Sequence, residues 1–504
     1  MTAELSRRGF LVVGSLAAAG LALAACAPGG ERILVPSEAL ADLAAKLSGR
    51  LLVPGDIGFA DASAATNGRY RDTIPMAVAS VADEADVVTV VDWAREHGMP
   101  FAVRGGGHSY AGLSSSTGLV IDLSRLNAVR VDRPSRRITT GGAATNRDIF
   151  DATQLGELFL PGGTCLGVGI GGLALGGGIG YHARWAGLTG DHLVRARMVT
   201  ASGEVVEASA GENSELFWAL RGGTGGTFGV CTELEFDLVD TPRGDVVFYR
   251  FDWTGAEAAE HMFAAVDRLE QDSPPGFVAS GMAQPTPLGA DGDPRAAMRV
   301  MVRGQFLGTR DEFMGLIAPV IDGNAPASST IVEQPWWTTA AGFTSEEAER
   351  HAWGDISRYT DRALPEAAIA ELVERVADCP SRSEGTHGEL WMLGWVGGPV
   401  IDRFARTETA YVHRGVTSMV RPSPVWSDLA TDDEIRDLED WTDAVLEVLE
   451  PHTPRESYQN FPNRRIVDWQ EQYYAENLER LIDVKTKWDP ANLFTSAQTI
   501  APRV

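Results

Sequence analysis

The sequence has 504 residues, of which 44% are hydrophobic and 22% charged, and its formal net charge is −26. This length and composition predict a globular protein with a large core, divided into two domains. The excess of acidic residues argues against nucleic acid, since phosphate recognition needs clustered Lys and Arg, and it fits a neutral or cationic small-molecule substrate.

The first residues form a predicted targeting segment. Arg7 and Arg8 precede an apolar stretch over residues 11–25 that is too short to span a membrane comfortably. The paired arginines resemble the twin-arginine signal, whose export machinery carries folded proteins, and residues 23–26 resemble a lipobox. We therefore predict a signal peptide over residues 1–26 and an exported bacterial lipoprotein, held at the outer face of the cytoplasmic membrane by lipid on Cys26. An uncleaved anchor is the alternative.

Residues 27–75 are predicted to form a tether with a lead-in helix, and residues 76–240 a domain of mixed helices and strands. Asp83 can cap a helix whose apolar face ends near Gly98. Further apolar runs predict strands at 101–103, 119–123, 129–131, 137–140 and 205–207, and a helix at 214–220.

From residue 241 to 455, strand-like runs alternate with amphipathic helices, a pattern that predicts an antiparallel sheet backed by helices. The predicted strands cover 246–251, 298–302, 390–396 and 417–420, and the predicted helices 256–269, 366–377 and 433–449. The last segment, residues 456–504, carries apolar residues at helical spacing from Ile466 to Ile482, which predicts one more helix.

Two glycine-rich segments carry the candidate chemistry. Residues 104–110 place three glycines before His108, and residues 161–180 combine many glycines with Cys165. Glycine at this density lets backbone amides approach a ligand closely and point at phosphate oxygens. Residues 169–174 formally match a dinucleotide-binding fingerprint, but no strong strand leads into them and no acid follows. A glycine-rich structural turn is the alternative interpretation.

The remaining cysteines and histidines indicate neither a disulfide framework nor a metal site. The sequence has four cysteines and nine histidines without HxxxH or CxxC pairing. Cys231 lies in an alternating strand and is interpreted as a core thiol.

Together with residues 216–223, 228–230 and 458–494, the glycine-rich segments resemble the flavin-linked oxidases of the berberine-bridge-enzyme type, within the vanillyl-alcohol-oxidase-like FAD-binding superfamily. The resemblance covers nearly all of the chain from residue 76 to 500. It implies an α+β fold in which residues 76–240 and 456–504 form the FAD-binding domain and residues 241–455 the substrate-binding domain.

The resemblance also implies covalently bound FAD. His108 matches the histidine bonded to the flavin 8α-methyl group, and Cys165 matches the cysteine that adds a second bond at flavin C6. Two covalent bonds hold the ring rigidly and raise its reduction potential. Leu173 stands where bicovalent members often have His, whereas Leu is seen in bacterial relatives that lack the cysteine. Cys165 is thus combined with a residue typical of relatives without the second bond. The implied cofactor-binding residues are Arg104, Gly105, Gly106, Gly107, His108, Ser109, Gly162, Gly163, Thr164, Cys165, Val168, Gly169, Gly171, Gly172, Gly229, Val230, Tyr458 and Asn460.

Tyr458 falls where the family presents a tyrosine above the flavin, which implies a general base, with Asn460 beside it. A phenol titrates near 10, so it needs hydrogen bonds or a nearby cation to accept a proton near neutrality. Residues 415–421 contain no Asp or Glu and so offer no carboxylate base, and His413 just before them is interpreted as structural.

The resemblance thus implies an FAD-dependent oxidase that takes hydride from an alcohol, a sugar hemiacetal or a polycyclic natural product. Dioxygen would reoxidise the flavin and give hydrogen peroxide, with Val168 leaving room for it. A dehydrogenase with another envelope acceptor, or a catalytically silent binding lipoprotein, is the alternative. Tryptophans 336, 337, 391 and 395 are candidates for the wall of the substrate pocket.

Overall fold

A computed structural model describes residues 23–26, 32–285, 293–345, 351–380 and 384–503. Arg7, Arg8 and the side chain of Cys26 lie outside the described residues, and with them the predicted export and lipidation signals. Within the described ranges, no helix has the length and apolar character needed to cross a membrane.

The part of the chain up to residue 240 consists of short strands and helices that follow one another closely. In chain order they are β1 (Leu23–Cys26), β2 (Arg32–Val35), α1 (Ser37–Lys46), β3 (Arg50–Leu52), α2 (Phe59–Ser63), β4 (Ala77–Ser80), α3 (Glu84–Glu96), β5 (Phe101–Arg104), β6 (Leu119–Asp122), β7 (Val129–Asp132), β8 (Arg137–Gly141), α4 (Asn146–Thr153), β9 (Leu158–Phe159), α5 (Ile170–Leu175), α6 (Ala183–Ala186), β10 (Leu193–Val199), β11 (Val205–Ser209), α7 (Ser214–Ala219), β12 (Val230–Asp237) and β13 (Val239–Asp240).

The rest of the chain has longer elements. They are β14 (Asp245–Thr254), α8 (Ala256–Asp272), β15 (Phe277–Gln284), β16 (Arg299–Phe306), α9 (Arg310–Ile321), β17 (Ser328–Pro335), α10 (Trp336–Phe343), β18 (Ala352–Trp353), β19 (Arg358–Thr360), α11 (Glu366–Ala377), β20 (His387–Leu393), β21 (Ser418–Trp426), α12 (Asp432–Leu449), α13 (Trp469–Tyr474) and α14 (Leu478–Trp488).

Two sheets form the first half of the molecule. The four-stranded sheet has the order β3-β4-β6-β5, with β4 and β5 parallel to β6, and the five-stranded antiparallel sheet has the order β11-β10-β12-β8-β7. Strand β3 belongs to the predicted lead-in. The turn that precedes it is fixed because the buried Asp86 carboxylate accepts the backbone N–H groups of Ser48 and Gly49, each at 2.8 Å.

The second half is an antiparallel sheet of eight strands in the order β17-β14-β16-β15-β20-β21-β18, with β19 also paired to β21. One face is covered by α8, α9, α11 and α12 and contains a continuous apolar core around Phe263, Ile369 and Leu438. Alternate residues point to the opposite face. Both the α+β fold class and the helix-backed antiparallel sheet agree with the sequence prediction.

The prediction of one C-terminal helix is wrong, because the structure has two shorter helices there. Helix α13 ends at Tyr474, a short 3-10 turn follows, and α14 begins at Leu478. Ala475 has φ 39°, a left-handed conformation that interrupts an α-helix. The Asn477 side chain next to it donates to the carbonyls of Arg406 and Thr409, at 2.8 and 3.1 Å, and so fixes the break.

A buried lysine ties the C-terminal segment to the first half of the molecule. The Lys485 ammonium, which is 0% exposed, donates to the Asp489 carboxylate and to the carbonyl oxygens of Phe494 and Thr227, at 2.7 to 2.8 Å. Burial lowers the pKa of Lys485, against the opposing effect of Asp489. The three acceptors satisfy the charge and fix α14 against the loop that contains Thr227.

Lys485→Met should therefore destabilise the protein by about 3–5 kcal/mol, because it leaves the Asp489 carboxylate buried without its partner. Urea unfolding followed by tryptophan fluorescence measures the change. Lys487→Met on the exposed face of the same helix is the control and should cost less than about 0.5 kcal/mol. Equal stability of the two variants would contradict this account of the tail.

Candidate active site

A cavity of about 810 Å³ lies between the glycine-rich segments and the open face of the eight-stranded sheet. Its lining includes residues 105–110 and 163–175 on one side and strands β16, β20 and β21 on the other. Residues 458–462 from the C-terminal segment also line it. A cavity of this size, enclosed by rigid elements with a few polar groups directed into it, is the usual form of a cofactor and substrate site.

The loop after β5 approaches the second glycine-rich segment backbone to backbone. A Cβ atom at Gly106 would lie 2.3 Å from the nitrogen of Gly169 and 2.6 Å from the carbonyl oxygen of Gly167. No side chain fits between the two loops, so they are in direct contact. His108 lies on the first loop and Cys165 on the second, and both line the cavity as a result.

Cys165 is fixed from both halves of the molecule. The Asn146 side chain donates to its carbonyl oxygen at 2.9 Å, and the Ser345 hydroxyl donates to its sulfur at 3.4 Å. The backbone of Ser345 bonds on either side of Cys165, donating to Thr164 and accepting from Leu166, at 3.0 and 3.2 Å. The thiol is therefore held in one place while it remains partly exposed to the cavity.

Tyr458 is 1% exposed, and three N–H groups converge on its hydroxyl oxygen. The backbone N–H groups of Gly178 and Ile179 donate at 3.0 and 3.3 Å, and the Asn460 side chain donates at 2.9 Å. Burial raises the pKa of the Tyr458 phenol to about 12, while the three donors act in the opposite direction. Asn460 also donates to the carbonyl of Leu173, which fixes the orientation of its amide.

The open face of the sheet forms the opposite wall. Alternate residues Arg303 of β16, Trp391 and Leu393 of β20, and Arg421 of β21 line the cavity, and Trp395 follows just beyond the end of β20. Trp391 and Trp395 thus line the cavity, while their contact with a substrate stays a prediction. Trp336 and Trp337, in contrast, do not line this cavity, because α10 turns Trp336 into a core against Phe159 and Trp185.

Arg421 and Asp355 form an ion pair in the cavity wall, with 3.4 Å between guanidinium and carboxylate. Burial raises the pKa of Asp355, and Arg421 opposes that shift. The Ser423 hydroxyl also donates to Asp355, at 2.7 Å. This carboxylate is a residue that the sequence analysis missed, since it lies outside the strand that was searched for a base.

The structure brings most of the predicted cofactor residues to the cavity, with three exceptions. Arg104 turns away and donates to the carbonyls of Ala62, Ala64 and Ser114. Gly162 lies behind the loop against Asn146, and Val230 points into the core where β12 begins. Residues that line the cavity without having been predicted as site residues include Tyr110, Tyr181, Thr224, Gly226, Arg303, Asp355 and Arg421. The period-two pattern of β16 and β21 could have predicted that Arg303 and Arg421 point away from the apolar core. It could not have predicted that they line this cavity.

His413 is fully buried. Its Nδ1 and Nε2 atoms lie 2.8 Å from the Glu456 carboxylate and 3.1 Å from the Gln459 amide oxygen. Gln459 in turn lines the cavity beside Tyr458. The interpretation of His413 as structural agrees with these contacts, because the ring positions the 456–459 segment. Among the described residues no group of His, Cys, Asp or Glu could hold a metal ion.

Comparisons with known proteins show which proteins this chain is similar to. A family described as FAD binding domain matches residues 75–209, and one described as berberine and berberine like matches residues 457–501. The FAD-linked oxidoreductase YgaK of Bacillus subtilis is 29% identical over 468 residues, covering 91% of this chain and 98% of that protein. Residues 75–209 and 457–501 thus carry the FAD-binding and berberine-like domains, and nearly the whole chain is similar to berberine-bridge-enzyme-like FAD-linked oxidoreductases.

Two further members of this family extend the comparison. The glucooligosaccharide oxidase of Sarocladium strictum is 26% identical over 463 residues, covering 86% of this chain and 88% of that protein. The berberine bridge enzyme of Eschscholzia californica shares the fold, with a TM-score of 0.79 and 23% identity over 92% of this chain and 99% of that one. The residues that the two family models match include both glycine-rich segments and Tyr458.

The cavity fits FAD. Cβ atoms at Gly172 and Gly226, which both line it, would meet no protein atom within 4 Å. Glycine at these positions leaves a cradle that a side chain would fill. Residues 105–109, 163–172 and 224–229 would hold the dinucleotide, with backbone N–H groups for its phosphates.

Gly106→Ala should disrupt this cradle, because the new methyl group forces the two loops apart. We expect a loss of about 1–3 kcal/mol in stability, typical of overpacking, together with a several-fold lower FAD content in the purified enzyme. The flavin-to-protein absorbance ratio and thermal unfolding measure both effects. Gly211→Ala is the matched control, since its Cβ would meet nothing within 4 Å. A fully loaded Gly106→Ala enzyme would refute the close-contact account.

Proposed function

We propose that this enzyme is an FAD-dependent oxidase that removes hydride from a carbon bearing a hydroxyl group, with dioxygen as the acceptor and hydrogen peroxide as the product. The observation that carries the proposal is the Tyr458 phenol, whose oxygen receives three N–H donors inside the cavity that also contains His108 and Cys165. Bound FAD would supply the hydride acceptor. Tyr458 would hold the hydroxyl proton that the substrate loses.

The hydrogen bonds at Tyr458 favour that role. N–H groups aimed at an oxygen stabilise its negative charge more than its neutral form, and they are already in place before any proton moves. Burial has the opposite effect and prevails, since the pKa of Tyr458 is about 12. The resting side chain is therefore a phenol at neutral pH. Only the small phenolate fraction can take the substrate proton, and that fraction increases tenfold with each pH unit.

We propose that His108 and Cys165 both bind the flavin covalently. The contact between Gly106 and Gly169 supports this, because it brings the two loops to one end of the cavity. The state of the other thiols also supports it. Cys231 and Cys379 are buried, and burial raises the pKa of each to about 12, which keeps them as inert thiols. Cys231 also borders the cavity but is only 7% exposed, whereas Cys165 is partly exposed to it.

The walls of the cavity favour a substrate with a flat or apolar face. Trp391 and Trp395 present aromatic surface, which suits both polycyclic molecules and the apolar faces of sugar rings. The similarity to a glucooligosaccharide oxidase supports a sugar hemiacetal or another alcohol. Val168 also lines the cavity, and its short side chain supports dioxygen as the acceptor, as in an oxidase rather than a dehydrogenase.

The covalent attachment is tested by acid precipitation of the purified enzyme. Wild-type protein should retain all of its flavin in the pellet, and so should His108→Ala and Cys165→Ala separately, because each keeps one bond. The double variant should release all of its FAD into the supernatant. Cys231→Ala is the control and should behave as wild type. Yellow supernatant from wild-type enzyme would refute covalent binding, and release from His108→Ala alone would refute the Cys165 bond.

The role of Tyr458 is tested by stopped-flow reduction, with an alcohol or sugar first found by peroxide production from a substrate panel. Tyr458→Phe should reduce its flavin at least about a hundredfold more slowly, while its reoxidation by dioxygen stays nearly unchanged. In the wild type the reduction rate should rise with pH and reach no plateau below about pH 10, since the pKa lies above that range. Absence of peroxide with every compound that reduces the flavin would instead indicate a dehydrogenase.

The control for this experiment is Tyr473→Phe. Tyr473 is also a buried phenol that accepts a backbone N–H, from Asn463 at 3.0 Å, but it does not line the cavity. Its loss should affect stability without affecting the rate of reduction. A Tyr458→Phe enzyme as fast as this control would remove Tyr458 from the mechanism.

A further inference from the structure

The two arginines in the cavity wall differ in one respect, which is their pairing. Arg421 is matched by Asp355 at 3.4 Å. Arg303 has no carboxylate within 4.0 Å among the described residues. Its Nε donates to the Tyr181 hydroxyl at 3.1 Å, and its guanidinium lies 5.5 Å from the centre of the Tyr181 ring. Within the described ranges, this cation in the cavity wall is therefore held by the Tyr181 side chain.

The sheet explains why Arg303 faces the cavity. Its neighbours Val302 and Val300 on β16 are buried in the core under the helices, so residue 303 points to the opposite face. Across the sheet it lies opposite Ser280 of β15 and Arg250 of β14. Arg250 is neutralised by Asp252 at 2.6 Å and does not line the cavity. Arg303 contributes a positive charge that these neighbours do not balance.

Other titratable groups on this side do not balance it either. Gln305, two residues along β16, bonds His182 at 3.3 Å, and burial lowers the pKa of that histidine to about 3, so that it is neutral. Glu389, on the same face of β20 as Trp391, accepts the Trp391 indole N–H at 2.8 Å and lies 3.4 Å from His387. The guanidinium ends of Arg303 thus lack an anionic partner in the described part of the chain.

Arg303 also lies close to the reacting end of the cavity. Tyr181, which orients it, follows Ile179 by two residues, and the N–H of Ile179 donates to the Tyr458 hydroxyl. The Tyr181 ring stacks on Phe343 at 4.3 Å and lies 5.4 Å from the Trp395 ring. An anion bound by Arg303 would therefore lie beside aromatic surface. It would be separated from Tyr458 only by the short segment between Ile179 and Tyr181.

We propose that the substrate carries a carboxylate group, which Arg303 binds while its hydroxyl-bearing carbon faces Tyr458. A planar guanidinium with free terminal N–H groups matches a carboxylate in both charge and geometry. This inference rests on the proposed function, because it specifies the class of compound oxidised at that site. It departs from the expectation drawn from the net charge of −26, because Arg303 presents to the cavity a cation that no carboxylate within 4.0 Å balances in the described part of the chain.

Binding of benzoate and of benzamide to the flavin-loaded enzyme tests the proposal. The two have the same shape, and only benzoate is charged. We expect benzoate to bind at least about tenfold more tightly than benzamide, as charge-assisted hydrogen bonds imply. Calorimetry and the perturbation of the flavin absorbance give both affinities. Equal binding of the two compounds, or no binding of benzoate, would overturn the proposal.

Arg303→Gln should remove the preference, with benzoate binding about tenfold more weakly and benzamide binding unchanged. Arg250→Gln is the matched control on the adjacent strand and should leave both affinities as in wild type. If Arg303→Gln does not fold, Tyr181→Phe removes only the hydroxyl that orients the guanidinium and should weaken benzoate binding several-fold. Benzoate binding that is unchanged in every folded variant would show that Arg303 does not bind the anion.

These outcomes are separate from those of the proposed function. An enzyme that binds benzoate through Arg303, yet whose flavin no hydroxyl compound reduces, would refute the proposed oxidation while the anion site stands. An enzyme that oxidises alcohols but binds benzamide as well as benzoate would refute the anion site alone.

Discussion

The contact between Gly106 and the backbone of residues 167–169 is the constraint on which the cavity depends. Two chain segments more than 50 residues apart meet there with no side chain between them, at distances that even a methyl group would not allow. Because the loops touch, His108 and Cys165 face one space. The second half of the molecule adds Ser345 to the same contact, so that the position of the thiol depends on both halves.

The eight-stranded sheet gives the site its second wall by dividing its residues between two environments. Residues facing the helices are apolar and form one core, whereas those facing the cavity include aromatic, neutral polar and cationic side chains. Period-two alternation places the two kinds side by side on the same strands. The charge presented to a ligand therefore depends on a few residues of one face, and the strongly acidic composition of the whole chain says little about it.

At Tyr458 two physical effects oppose each other. Burial disfavours the phenolate, and the donors from Gly178, Ile179 and Asn460 favour it, with burial prevailing. The donors are preorganised because Asn460 is anchored on Leu173 and because the 456–459 segment is fixed through His413 and Glu456. The Lys485 interactions then fix the whole C-terminal segment against the loop at Thr227. Buried, hydrogen-bonded polar groups thus connect the C-terminal segment to the first half of the chain around the site.

By itself, the sequence determined what local patterns and family motifs can encode. Glycine density, the residues His108, Cys165 and Tyr458, and the alternation of strands and amphipathic helices predicted an α+β FAD-linked enzyme and most of the loops that line the cavity. Tertiary structure alone decided the rest. Arg303, Asp355 and Arg421 come from separate strands and a loop, and no local signal tells which face of a sheet meets the cofactor domain. Likewise Ala475 breaks a helix that its apolar spacing predicts, because Asn477 bonds to carbonyls some 70 residues earlier in the chain. Contacts between residues so far apart depend on how the elements pack, and the sequence of a single segment does not determine that packing.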